Sequence, residues 1–287
     1  MGYTENSKMS SDSVLQKTED EVEPEESDVP QKKMRTNFGK PSKANMDRDD
    51  TVVAKKAKAI FDEIFEELTD EHSGSELIFP NKMVWLNGAP GAGKGTNTAT
   101  IMRILEIPSK PIEVSSLLTS PEAEALKASG KLVDDKTVVK LVFETLLRPE
   151  NVNGVIIDGF PRTKVQAECL KLLVHRLQSD AKNKWCKFTI VNFMVSRETS
   201  INRQLARGRA ALEHNKIVKE SAIGEEVPVR STDLSWDVAN FRYQTYLNET
   251  RESLSILQDL VEYDEINAEG SLEEVRERIY KVFSVTQ

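Results

Sequence analysis

Long apolar runs are missing from this chain of 287 residues, and with no stretch of 18 hydrophobic residues a membrane-spanning helix is excluded by length. Cysteine is scarce as well. Cys169 and Cys186 are the only two, in segments that read as helix and strand and without Cys-x-x-Cys spacing. Buried thiols in a reducing compartment account for them. The first residues are polar and acid-rich, which excludes a signal peptide and argues against a transit peptide, so a soluble cytoplasmic protein without a membrane partner is expected. No internal repeat is visible. Net positive charge is absent too. The formal charge is −8, but residues 1–30 alone carry −7, nine acids against Lys8 and Lys17, leaving −1 for residues 31–287. A nearly neutral domain argues against nucleic acid as a partner; it binds phosphates only through a local basic cluster.

Aliphatic periodicity is lacking from residues 1–50, which cannot bury enough surface to offset ordering entropy and are predicted to be a disordered tail. Its sign flips from acidic to basic at Lys32, Lys33, Arg35, Lys40 and Lys43, which reads as a solvated linker, the tail being a candidate contact for an unidentified partner. Helical spacing begins beyond it. Asp50 or Thr51 can cap a helix over residues 51–70 in which Val53, Ala57, Ile60, Phe61, Ile64, Phe65 and Leu68 share a face. This helix is expected to pack on the domain of residues 51–287, docking of a partner being the alternative.

The most informative stretch is Gly88-Ala-Pro-Gly-Ala-Gly-Lys-Gly-Thr96, behind the apolar run Met83-Val84-Trp85-Leu86 and ahead of a helical pattern from Asn97 to Leu105. Its spacing is that of a phosphate-binding loop. Glycines let successive N–H groups turn inward, the following helix points its positive end at the anion, and Lys94 reaches the outer phosphates. Gly88, Gly91, Ala92, Gly93, Lys94, Gly95 and Thr96 are therefore the predicted ATP contacts. Further strands are predicted at Pro111–Val114, Gly154–Asp158, Phe188–Val195 and Tyr263–Ile266. Helices are predicted at Lys136–Leu147, Arg162–Leu177, Glu198–Leu205 and Asp237–Leu260, and a last one behind the capping box Ser271-x-x-Glu274 buries Leu272, Val275 and Ile279. Alternation of apolar strands with helices predicts a doubly wound α/β fold, a five-stranded parallel sheet covered on both faces.

Two further constellations carry chemistry. Asp158 ends an apolar strand, where a carboxylate sits beside the phosphate loop and can bind Mg²⁺ through water. Arg203 and Arg207, four apart, lie on one helical face and repel unless they share an anion, a solvated basic face being the bland alternative.

The loop in its GxPGxGKGT form, with Gly95 where Ser or Thr usually follows the lysine, resembles that of adenylate kinases and their nucleoside monophosphate kinase relatives. Asp158-Gly-Phe-Pro-Arg-Thr163 with Gln166 resembles the second signature of that family. The resemblance covers roughly Lys82 to the C-terminus. It implies a monomer using ATP and Mg²⁺ and acting on small nucleotides, with reversible transfer of a phosphoryl group to a nucleoside monophosphate, most simply AMP. It assigns Arg162 to the acceptor phosphate, Gln166 to its base, Arg203 to the adenine of ATP, and Arg207 to the moving phosphoryl group at the hinge of a lid of residues 208–229. That lid has no cysteines and so no zinc. It also implies a cis Phe160-Pro161 bond. Arg230-Ser-Thr-Asp233 with Arg242-x-x-x-Tyr246 looks like the family's R-x-D-D … R-L-x-x-Y pair, one residue longer and with Thr232 in place of an acid. Lys94, Arg162, Arg207 and Arg242 are the predicted catalytic cations.

The acceptor segment, residues 112–135, departs from the family. Val114-Ser-Ser-Leu-Leu-Thr119 holds no arginine where relatives carry one, and the segment is shortened. Ser116, Val133, Arg162, Gln166, Arg230 and Arg242 are the predicted acceptor contacts. UMP or CMP as acceptor, and an ATP-binding module with little turnover, stay open beside AMP.

Overall fold

The computed structural model describes residues 43–72 and 76–284. The expectations for residues 1–42 lie outside them. Five strands form one all-parallel sheet in the order β2-β3-β1-β4-β5: β1 Lys82–Gly88, β2 Ile112–Glu113, β3 Val155–Asp158, β4 Lys187–Met194 and β5 Glu262–Asn267. Leu86 aligns with Asp158, and Gly88 with Phe193, so the carboxyl ends of the three central strands finish together. β1 is buried on both faces, as a parallel central strand must be.

The two faces of the sheet bury different partners. Met83, Trp85, Val155, Ile157 and Ile190 pack under α1 (Lys43–Glu71), α5 (Asp135–Leu146) and α6 (Lys164–Ser179). Val84, Leu86, Ile156, Val191 and Phe193 pack under α2 (Lys94–Leu105) and α10 (Leu272–Ser284). Between these lie the short helices α3 (Val114–Leu117) and α4 (Pro121–Ala128), then α7 (Arg197–Ser221), α8 (Trp236–Thr245), a π-helical turn Tyr246–Arg251 and α9 (Glu252–Leu254).

The helix expected at 51–70 is α1, and it belongs to the domain. Ala57, Ile64 and Leu68 are fully buried and Phe61 meets Phe143 edge-on at 6.1 Å, each large side chain contributing about 1.5–3 kcal/mol of transfer free energy. It starts at Lys43, so residues 43–50 of the expected tail are helical and neither Asp50 nor Thr51 caps it. Nothing from Lys43 to Asp50 is glycine or proline, so the docked turns extend backward without a breaker.

Other boundaries move for local reasons. Val114 opens α3 rather than closing a strand. α6 begins at Lys164, not Arg162, because Pro161 and the Thr163 cap, whose hydroxyl accepts from Gln166 N at 3.1 Å, fix its start. The single helix expected at Asp237–Leu260 breaks after Thr245 into the π turn and α9. The capping box at Ser271 and Glu274 forms, with N–H bonds of 2.7 and 3.3 Å, and Val275 and Ile279 are buried. Leu272 is not: it stands in the first turn and is 36% exposed.

The largest difference is in α7. Expected to end near Leu205, it runs on to Ser221 because Arg209 to Glu220 are mostly strong helix formers. Residues 208–221 are therefore helix, and 222–229 run back along it. There Asn215 clamps Val227, donating to its carbonyl and accepting from its N–H at 2.8 Å each. Among the described residues, no helix is long and apolar enough to cross a membrane.

Candidate active site

β1 delivers the loop to the carboxyl end of the sheet, and Gly88 is where the fit is tightest. Its φ of +139° is open to glycine, and a Cβ there would stand 2.5 Å from the Phe193 carbonyl. The loop closes with Ala92 N donating to Ala89 O at 3.0 Å, and Gly93, left-handed at φ 87°, starts α2 with no side-chain cap. The first N–H groups of α2 are thus directed into a cavity of about 360 Å³.

Lys94 bends back over the loop, its Nζ donating to the carbonyls of Gly88 at 2.9 Å and Ala89 at 3.3 Å. Burial pushes its pKa down to about 8; Asp158 partly restores the charge, and Arg162, Arg242 and Arg207 oppose it. Each of these groups therefore lies within electrostatic reach of the same ammonium.

The arginines are held from different elements. Arg162, after β3, donates from Nε to Gly159 O at 2.8 Å, and burial lowers its pKa against the pull of Asp158. The peptide between Phe160 and Pro161 is cis. Arg207 on α7 makes a two-pronged contact with Asp233, Nε to Oδ2 at 2.6 Å and Nη2 to Oδ1 at 3.0 Å. Arg242 on α8 donates from Nη1 to the same Asp233 at 3.1 Å, to Thr232 Oγ1 at 3.1 Å and to Gln204 Oε1 at 2.9 Å. Burial lowers its pKa to about 10, opposed first by Asp233. Asp233 is 1% exposed, one carboxylate setting two guanidinium groups.

The cavity gathers twelve of the predicted residues: Gly88, Gly91 to Thr96, Asp158, and the arginines 162, 207, 230 and 242. Four lie elsewhere. Arg203 lies against the end of β5, its guanidinium donating to Ala268 O at 3.0 Å and Gly270 O at 3.2 Å. Ser116 is exposed and faces Glu113 at 3.5 Å. Val133 packs against the core. Gln166 is 2% exposed and both ends of its amide are engaged within the protein, Oε1 by Arg162 N at 2.9 Å and Nε2 by Asp135 at 3.2 Å.

Sequence reasoning missed Gln204, Gly208 and Thr250. Gln204 carried a signal, a polar residue on the helical face of Ile201 and Gly208. At Gly208 α7 touches the backbone of Asp233, where an added Cβ would collide with its carbonyl oxygen. Thr250 donates to the Arg162 carbonyl at 3.1 Å from a turn no periodicity announced.

Among the described residues no group of three or more His, Cys, Asp or Glu side chains is placed to hold a metal ion. A hard cation at this site would take most of its ligands from phosphate and water, with Asp158 as the carboxylate beside the loop.

A glycine loop at the end of a parallel strand, its lysine faced by arginines from three other elements, defines a P-loop phosphotransferase. A model of the AAA domain matches residues 87–218. The adenylate kinase of Synechococcus sp. (strain CC9902) is 31% identical over 211 residues, 70% of this chain and 98% of the relative. Those of Photorhabdus laumondii, 31% over 221 residues, and Lactobacillus johnsonii, 30% over 222, each match 69% of this chain and 97% of their own. The chain belongs to the adenylate kinase family.

Proposed function

We propose that this nucleoside monophosphate kinase converts MgATP and AMP into two molecules of ADP. The observation that carries it is the convergence of Lys94, Arg162, Arg207 and Arg242 on one cavity at the mouth of the phosphate loop. A phosphate oxygen of AMP attacks the γ-phosphorus of ATP, a P–O bond forms, and the bond to the β-phosphate oxygen breaks, leaving ADP on each side. Charge spreads over the moving group, so cations and alignment suffice without a nucleophilic side chain.

In this reading the loop from Gly88 to Thr96 cradles the donor phosphates and Lys94 swings from its carbonyl contacts onto them. Arg203 supports the donor adenine at the end of β5. Arg162 and Arg242 hold the acceptor phosphate, with Arg230 at the rim, and Arg207 faces the group in transit. Asp158 holds Mg²⁺ through water. When bound, the ion neutralises charge between the donor phosphates. Residues 208–229 act as the lid and 112–135 as the acceptor side, excluding water from the transfer.

UMP or CMP is the second reading, favoured by the engagement of both ends of the Gln166 amide, which leaves the base to be chosen by other groups. MgATP-dependent ADP formation is measured with AMP, UMP, CMP and GMP in separate assays, beside a no-acceptor blank and Lys94→Met. Turnover fastest with AMP and lost in the variant is expected. A different preferred acceptor moves the mechanism to that substrate, and no turnover with any of the four while ATP still binds overturns the kinase reading.

A further inference from the structure

One carboxylate joins three helices to the arginine assigned to the acceptor. Asp135 stands in the first turn of α5 with its side chain 12% exposed. Its Oδ1 accepts from Thr163 Oγ1 at 2.7 Å and Gln166 Nε2 at 3.2 Å, both in the opening of α6. Its Oδ2 accepts from Lys56 Nζ of α1 at 3.0 Å. Gln166 in turn accepts the Arg162 N–H, and Thr250 holds the carbonyl of the same residue. The path from Lys56 to the Arg162 backbone therefore has three contacts, none longer than 3.2 Å.

Other lysine–carboxylate pairs tie α1 to α5 further along, Lys136 to Glu63 and Lys140 to Glu67, each at 2.6 Å. These fix the docking of α1 without touching the site. Lys56 differs in where its partner leads. We propose that α1 is a positioning element of the acceptor side: Lys56, acting through Asp135 and Gln166, fixes the orientation from which Arg162 meets the acceptor phosphate. The inference rests on the assignment of Arg162 to that phosphate.

Gln166 is then a positioning residue for Arg162. With Lys56 gone, Asp135 keeps its bonds to Thr163 and Gln166 but loses the charge that draws it toward α1. The opening turn of α6 gains freedom, and a misplacement of a fraction of an ångström at Arg162 weakens acceptor binding, while the phosphate loop, which none of these contacts touches, keeps its place.

The test is steady-state kinetics of the full chain with AMP, or with whichever monophosphate turns over fastest, read as separate KM values for acceptor and ATP. Lys56→Met is expected to raise the acceptor KM about threefold, the reach of one largely exposed ion pair. Asp135→Asn is expected to raise it about tenfold, because a charged hydrogen-bond acceptor is lost. The ATP KM stays within about twofold in both, and Lys56→Arg restores the acceptor KM. Glu67→Gln, which breaks the docking pair remote from the site, leaves both values alone. Unchanged acceptor KM in Lys56→Met and Asp135→Asn, with a raised value in Arg162→Lys, overturns the positioning role while keeping Arg162 in place. An equal rise in Glu67→Gln and Lys56→Met also overturns it, since loose docking would then be the cause. If Arg162→Lys leaves the acceptor KM unchanged, the assignment of Arg162 falls and takes the inference with it.

Discussion

The two halves of the cavity are built by different means. On the side proposed for the donor the ligand groups are main-chain N–H groups, placed by glycines and by the first turn of α2, with Lys94 as one further cation. On the side proposed for the acceptor they are guanidinium groups: Arg242 is held by the side chains of Gln204, Thr232 and Asp233, and Arg162 by the Gly159 carbonyl, with Gln166 accepting its main-chain N–H. A cradle of backbone depends on a spacing, whereas a cradle of side chains depends on residues brought together from distant segments. The first tolerates little change at its glycines, and the second degrades one contact at a time.

That contrast breaks first at Gly88. A methyl group there meets the Phe193 carbonyl and displaces the loop, so Gly88→Ala is expected to lower kcat/KM by about 10²-fold, chiefly through ATP. A fall of less than about threefold would mean that the loop adapts as readily as the side-chain half. Asp233→Ala comes next. Arg207 loses both of its hydrogen bonds and Arg242 one of three, and kcat is expected to fall about 10- to 30-fold. An unchanged kcat would show that the two guanidinium groups are placed by packing alone.

The smallest effect is in pH. Lys94 has its pKa lowered from 10.5 to about 8, so the charged form is disfavoured in the empty site. This costs the empty protein stability at all pH below about 8, and the cost is relieved as pH climbs from there toward 10.5. Donor phosphates favour the charged form. Binding above pH 8 therefore takes up a proton, and MgATP affinity is expected to fall about threefold between pH 7.5 and 8.5 in calorimetric titrations. The dependence should vanish in Lys94→Met, and its persistence there would assign the titration to another group.

Legibility followed the same division. The sheet was readable because β1, β3 and most of β4 are apolar runs bounded by turn residues, and β3, β4 and β5 end within one residue of expectation. The phosphate loop was readable because glycine spacing encodes backbone geometry directly. Gln166 was placed in the site by motif, and the structure turns its amide toward Asp135, a partner 31 residues away that no local pattern can supply. Asp233 was visible only as half of a motif with altered spacing, although it orients two arginines. α7 was cut short because the family resemblance implied a lid from residue 208 onward, whereas Gly208 serves a close approach to Asp233 within a continuous helix.

The π-helical turn at Tyr246–Arg251 constrains how this sequence can drift. It holds one residue more per turn than its flanks, and Tyr246, bonded to Asn192, and Thr250, bonded to Arg162, both depend on that surplus. Substitutions at Leu247, Asn248 or Glu249 leave the count intact. Deleting any one of them would take out that surplus, so the turn would close as ordinary α-helix and the spacing of Tyr246 and Thr250 on which both contacts rest would be lost. Across homologues this stretch should therefore vary freely in letters while keeping its number of residues, a gap-free window in an otherwise loosely spelled segment.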